Sequence, residues 1–306
     1  RDLTPFGYLR LDMRPGFSEP RAPGTWAVET DLAYQNTWAT SPEVEKWLNS
    51  LDGRRELGPA EFQALRDLPG ENYLVDLELA QFDVTLNYQV SERWSAYLIA
   101  SAASFGGGFL DSTIEGFHDL INNPRFGRPA AARDDYNVLF DLKSSQYAAY
   151  EAPSSGGLLD PVLGLRYTRA FADDKWRISA ESAVKVPLAD RGKALSTGRT
   201  DVGAQVSVQR FSGRHAVYLN LSAVYYAGMN DFVTEPSQVL PTLVAGYEYR
   251  LTPRTNVILQ GYLSRSVYEH EQTDLSELLG TKYQISAGVH HRRGAARDGR
   301  GAAPVG

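Results

Sequence analysis

Trp26-Ala27-Val28-Glu29-Thr30-Asp31-Leu32-Ala33-Tyr34-Gln35-Asn36-Thr37-Trp38 alternates in character almost residue by residue. Trp26, Val28, Thr30, Leu32, Tyr34 and Trp38 share one face; Ala27, Glu29, Asp31, Ala33 and Gln35 share the other. A period of two over this length predicts a long β-strand. The pattern recurs at 93–101, 163–168, 176–186 and 202–209, and near 215–228, 239–251, 255–268 and 281–291. The chain therefore reads as all-β. Residues 72–89 carry a fault: Tyr73, Val75, Leu77 and Leu79 are apolar at odd positions, then Phe82, Val84, Leu86 and Tyr88 at even ones. One inserted residue near Ala80-Gln81 would restore a single apolar face, which predicts a β-bulge there.

The connections alternate in length. Ser91-Glu92, Ala172-Asp173-Asp174, Ser212-Gly213-Arg214 and Thr252-Pro253-Arg254 are tight turns, whereas 39–71, 104–135, 188–200, 229–238 and 269–280 are long. Short turns at one end and long loops at the other predict a transmembrane antiparallel up-and-down β-barrel with short helices in its extracellular loops. The count is about 12 strands if a hairpin within 136–151 joins the wall, the arrangement favoured here, and 10 if it stands above it. Residues 1–23 form a periplasmic or lumenal segment, 24–293 the barrel, and 294–306 a flexible Gly/Ala/Arg-rich tail.

The aromatics support a membrane wall. Trp26, Trp94 and Trp176 begin strands at the level where Tyr88, Tyr167 and Tyr249 end theirs, which predicts a lipid-interface girdle. Trp38 lies on the same face as Trp26; at about 3.3 Å per residue and a tilt of about 45° the two are separated by roughly 28 Å of height. Trp38 is accordingly expected at the opposite interface.

Composition excludes much else. The 306 residues hold no cysteine, which removes disulfide frameworks, thiolate metal sites and thiol nucleophiles. No apolar run is long enough for a spanning helix. A net charge of −6 argues against a nucleic-acid partner. Mean hydropathy of −0.35 does not separate a soluble chain from a membrane barrel, because a barrel's lipid face occupies alternate residues.

Helices are predicted in the loops: one after Ser41-Pro42, carrying Val44, Trp47, Leu48 and Leu51, and one carrying Phe62, Leu65 and Leu68. Ser112-Thr113-Ile114-Glu115 reads as a capping box opening a helix with Leu110, Ile114, Phe117 and Ile121 on one face. A last turn or two is expected within 273–279.

Gly106-Gly107-Gly108-Phe109-Leu110-Asp111, followed by Ile114-Glu115-Gly116-Phe117-His118-Asp119, resembles the signature of the bacterial family catalogued as domain of unknown function 3187. Gly157-Leu158-Leu159-Asp160, and Lys185-Val186-Pro187 with Ser196-Thr197-Gly198-Arg199-Thr200-Asp201, are similar to that family and to related outer-membrane channel families, some linked to uptake of hydrophobic and aromatic compounds. The resemblance covers residues 24–290. It implies a porin-like barrel in the bacterial outer membrane and no settled activity, with Gly108, Phe109, Asp111, Glu115 and His118 as the motif loop. Such barrels commonly end on an aromatic residue, whereas this one runs into His290-His291-Arg292-Arg293.

Chemistry is sparse. Glu115 and His118 form a single E-x-x-H pair, and a di-iron bundle needs two pairs with further carboxylates, so no metal or other cofactor is expected. His118 and His270 fall in acidic loops without an orienting third group, so no catalytic residue is assigned and no enzyme is expected. The lumen face carries Glu29, Asp31, Arg166, Arg177, Glu181, Lys185, Glu248, Arg250 and Lys282, either a cross-lumen ion-pair plug or the lining that sets a channel's selectivity. The expected role is a restricted channel or passive transporter for small solutes. The alternatives are a non-conducting barrel that binds another envelope or extracellular assembly, and an outer-membrane hydrolase. Expected partners are outer-membrane lipid, lipopolysaccharide, and a protein at the loop face or the tail.

Overall fold

The computed structural model describes residues 7–14, 21–150, 155–173, 175–190, 193, 195–227 and 237–291. The tail from 294 and the arginines at 292 and 293 lie outside these. The strands are β1 (Trp26–Thr40), β2 (Asn72–Gln89), β3 (Trp94–Gly106), β4 (Asn137–Leu142), β5 (Ser145–Tyr150), β6 (Ser155–Leu158), β7 (Val162–Phe171), β8 (Trp176–Lys185), β9 (Asp201–Ser212), β10 (His215–Tyr226), β11 (Gln238–Thr252), β12 (Thr255–Ser264) and β13 (Lys282–His291). Helices α1 (Pro42–Asn49), α2 (Pro59–Arg66), α3 (Asp111–Leu120) and the single turn α4 (Ser276–Leu279) all lie in the long connections, as the loop periodicity predicts.

All thirteen strands belong to one antiparallel up-and-down sheet. At the tight-turn end β3 pairs directly with β7, from Trp94↔Tyr167 to Ile99↔Val162. Ten strands therefore lie abreast there, β1 to β3 and β7 to β13, and not twelve. The predicted hairpin is present as β4 and β5, but β4 continues the line of β3: it takes up pairing with β2 at Asp76↔Asn137, just beyond the last β3 partner at Glu78↔Gly106. β6 likewise continues the line of β7, pairing with Ala102–Phe105 of β3. The hairpin thus lengthens the wall and does not widen it.

Among the described residues β1 pairs only with β2 and β13 only with β12, so the sheet has two free edges where the alternation predicts closure. β13 is exposed along nearly its whole length on both faces, so no inward packing draws it across to β1.

The register sorts side chains cleanly. One face presents Val28, Leu32, Phe82, Leu165, Val206, Leu219, Leu221, Leu243, Leu259 and Ile285, all exposed. The opposite, concave face buries Asp83, Ser101, Glu181, Lys185, Asp201, Gln205, Ser207, Asn220 and Ser222. This is the inverse of a water-soluble sheet, which buries its apolar face.

The predicted bulge in β2 is absent: β1 and β2 pair without a break from Trp26↔Tyr88 to Thr40↔Leu74. The fault in the pattern records a change of surroundings and no inserted residue. Below Ala80 in height the apolar side chains point outward. Above it Tyr73, Val75, Leu77 and Leu79 point inward, packing with Leu9, Val138, Phe140, Leu142, Leu159 and Leu195 across the mouth. There the outward face is covered as well, because Leu74 and Leu139 pack under Val44, Leu48, Phe62 and Leu65 of α1 and α2. Burial on both faces turns alternation into a near-continuous apolar run. No helix among the described residues is long and apolar enough to cross a membrane.

Candidate functional site: a strapped polar face and a clamped loop

Inward-facing charges of the wall gather into local groups that hold residues 7–14 across the concave face. Leu9, Leu11 and Met13 of this strap are buried. Lys185 Nζ donates to the Leu9 carbonyl at 2.7 Å and to Thr197 Oγ1 at 2.7 Å, and pairs with Asp201 at 2.9 Å and Asp160 at 3.7 Å. The Leu11 amide donates to Asp201 at 3.0 Å, and its carbonyl accepts from the Tyr226 hydroxyl at 3.2 Å. Gln205 donates to the Arg14 carbonyl at 2.9 Å, and the Arg14 guanidinium reaches Asp83 at 2.5 Å and Asp31 at 3.8 Å. Gly203 makes room for the crossing, since a Cβ there would lie 2.6 Å from Met13 Sδ.

Lys185 is only 2% exposed. It also ties the strap to the loop after β8, because Asp160 accepts from the Leu188 and Ala189 amides and from Ser196 Oγ. The separate motifs at 157–160, 185–187 and 196–201 thus converge on one buried ammonium. A second group joins Arg166 to Glu181 at 2.5 Å, with the Tyr97 hydroxyl donating to Glu181 at 2.6 Å. Glu29 faces Arg21 at 3.6 Å, Arg177 lies over Phe211, and Glu248 accepts from Asn256 near the β13 edge. Lys282, also at that edge, lines a cavity beside strap residues Arg10, Leu11 and Met13. Arg250 stands opposite Asn256 in the β11–β12 register. The charged residues predicted for the inner face do share one side of the sheet, and among the described residues they gather in these local groups. Arg14, Asp83 and Tyr97 were not singled out from the sequence, and Asp160 and Asp201 were quoted there only within the resemblance motifs. Asp83 and Asp201 were legible there as the inward members of alternating strands; Arg14, outside any strand, left no such signal.

The girdle residues meet at the tight-turn end. Trp26 packs on Tyr88 with centroids 4.7 Å apart, Trp94 on Tyr167 at 5.2 Å, and Trp176 stands opposite Phe171. Tyr249 and Tyr247 flank His215. Trp38 differs from its expected place at a far interface. Its indole donates to the Phe126 carbonyl at 2.8 Å, its ring lies under Arg128, and it packs against the α1–α2 cluster.

The Gly106–Asp111 motif is a clamp on the outward face of β1 and β2. Buried Glu78 accepts from the Phe109 and Leu110 amides at 3.0 and 2.6 Å, from Asn36 Nδ2 at 2.9 Å and from the Tyr34 hydroxyl. Gly108 has φ of +76°, a left-handed conformation, and a Cβ there would overlap the Glu78 carboxyl. Asp111 accepts from Asn36 at 2.8 Å and the Asp134 amide at 2.9 Å, and pairs with Arg128 at 2.9 Å.

Glu115 does not complete the predicted capping box, and α3 has no side-chain cap. Its buried carboxylate is held by Arg54 at 2.6 Å and Arg133 at 2.6 Å. His118 is half-buried and its ring nitrogen contacts the Pro124 carbonyl at 3.1 Å, so the E-x-x-H pair does not converge on a common point. His270 is exposed. The arginines draw Asp111 and Glu115 inward, and Phe117 and Ile121 of the apolar side face out.

Burial raises the Glu115 pKa, but hydrogen bonds from Arg133 and Arg54 outweigh it and hold the carboxyl below the usual range. A depressed acid contributes stability above its unfolded pKa of about 4.3 and loses it as pH falls through the lower folded value. The 107–135 loop should therefore keep its protection from proteolysis between pH 7 and 5 and lose it only below about pH 4. In Glu115→Gln that acid step should be absent.

A family model described as "Protein of unknown function (DUF3187)" matches residues 69–289. No curated protein matches the chain. Among solved structures, the crystal structure of the toluene transporter TodX of P. putida is similar at 10% identity and a TM-score of 0.36, over 88% of this chain and 66% of that one. This chain thus spans just under two thirds of that transporter's length.

Proposed function

The chain belongs to the DUF3187 family of proteins of unknown function, and from its own residues we propose that it is an outer-membrane β-barrel acting as a restricted channel or passive transporter for small solutes. The observation that carries this reading is the inverted sheet, with an apolar exposed face and a polar, charged concave face. Such an outward surface is stable against hydrocarbon and costly against water. The ten strands abreast are an even number, so β1 and β13 run in opposite directions and pairing their edges would close an antiparallel barrel. Closure would also satisfy two rows of backbone groups that lipid cannot. Outer-membrane lipid and lipopolysaccharide are then the surroundings of the wall, and no catalytic or cofactor role is assigned.

The strap and the apolar cluster across the mouth restrict the lumen. In planar bilayers the refolded chain should show small or rare conductance steps, and removal of residues 1–14 should enlarge them. Silence both before and after removal would favour the second reading, a non-conducting barrel that binds a partner at its loop face. A chain that stays dispersed without detergent would overturn the membrane reading altogether.

A further inference from the structure

Helix α3 is built inside out. Two of its three acidic residues, Asp111 and Glu115, are 2% and 3% exposed, pinned to Arg128, Arg54 and Arg133, while Asp119 near its end is exposed and pairs with Arg125. Its apolar side chains face away from the protein: Phe117, Leu120 and Ile121 are exposed, Leu120 to 82%, with Phe109 before the helix and Phe126 after it exposed as well. A helix on a water-facing loop turns these groups the other way.

The position of α3 identifies what covers it. Phe109 packs on Tyr34 with centroids 5.2 Å apart, and Tyr34 shares the outward face of β1 with Leu32, Val28 and Trp26. The patch on α3 therefore continues the apolar face of the wall. At about 3.3 Å per residue and a tilt of about 45°, Trp26 to Tyr34 spans about 19 Å, short of the apolar band of about 25 Å typical of such barrels. Above Tyr34 the outward residues of the wall include Asn36, Glu78, Trp38 and Asp76; Glu78 and Asp76 are buried, and the 107–128 segment contacts Asn36, Glu78 and Trp38.

Resting on the membrane reading above, we infer that α3 is an interfacial helix whose apolar side sits among the acyl chains of the outer leaflet, completing the lipid-facing band over β1 and β2. The arginines that grip Glu115 and Asp111 orient the helix, so the clamp and the lipid contact are two sides of one device. A helix of this kind lies in the plane of the interface at a depth of about 5–10 Å.

The chain has no cysteine, so single-cysteine variants label cleanly. Leu120→Cys and Phe117→Cys, with Leu219→Cys in the middle of the wall and Lys46→Cys on exposed α1, would carry a nitroxide in vesicles of phosphatidylcholine and phosphatidylglycerol. Relaxation by oxygen and by a water-soluble nickel chelate then reads depth. The expected result is that labels at 120 and 117 collide with oxygen, exclude nickel, and report a depth between those at 219 and 46. If 219 reports lipid while 120 and 117 report water, the interfacial helix is wrong and the membrane reading stands. Spin–spin broadening at 120 with exclusion of both reagents means a second copy covers the helix, which also overturns the inference. Water at 219 itself overturns the membrane reading and α3 with it.

Discussion

Lys185→Met should loosen the strap and destabilise the folded chain by about 3–5 kcal/mol, the range for breaking a buried ion pair from one side. The substitution removes the cation that Asp201 and Asp160 share and the donor to the Leu9 carbonyl, all in a site closed to water. Thermal unfolding in vesicles would report the loss, and bilayer recordings should show larger or more frequent openings as residues 7–14 leave the lumen. Tyr226→Phe is the gentler companion, since it deletes the neutral 3.2 Å bond to the Leu11 carbonyl and leaves the ring in place. It should cost about 1 kcal/mol and raise open probability without threatening the wall. Unchanged conductance in both variants would mean that the strap does not control passage.

The second large effect is expected for Glu78→Ala. Four donors converge on this carboxylate: two backbone amides of the motif loop, Asn36 and Tyr34. Each donor left unpaired in a buried site costs about 1–3 kcal/mol, so losing the acceptor should exceed about 3 kcal/mol in total. The damage should be local: rapid proteolysis within 107–126 while strands β7 to β12 keep their protection from hydrogen exchange. Gly108→Ala tests the same clamp from the other side. It forces a side chain into a left-handed position costing about 1–2 kcal/mol, and the new Cβ meets Glu78 besides. Uniform loss of protection across the sheet would show instead that the clamp and the wall fold as one unit.

Much of the architecture was legible because strand alternation is a local property. Period two is written residue by residue, so the strands, the tight turns with their aromatics and the loop helices could be placed from spacing alone. The fold outline and the family signature at 106–119 were both readable in this way. The misreadings have one origin, that spacing is blind to what covers a face. The switch at Leu79-Ala80 mimicked an inserted residue because both faces of upper β2 are buried, by parts of the chain as distant as Leu9 and Leu195. Trp38 repeated the face of Trp26 but met Phe126, 88 positions along the chain, and Arg128 of the same loop.

What the sequence determined by itself is the wall: an antiparallel meander with one apolar and one polar face, unequal loops and an aromatic end. Only the tertiary structure decided which face is buried, that ten strands and not twelve lie abreast, and that residues 7–14 cross the polar side. Only it turned Glu115 and His118 from a candidate ligand pair into an arginine-held carboxylate and a half-buried ring set against the Pro124 carbonyl. The physical reason is one of range. Backbone geometry and alternation act between near neighbours, whereas desolvation of Lys185 or Glu78 depends on groups that meet only after the chain has closed over them.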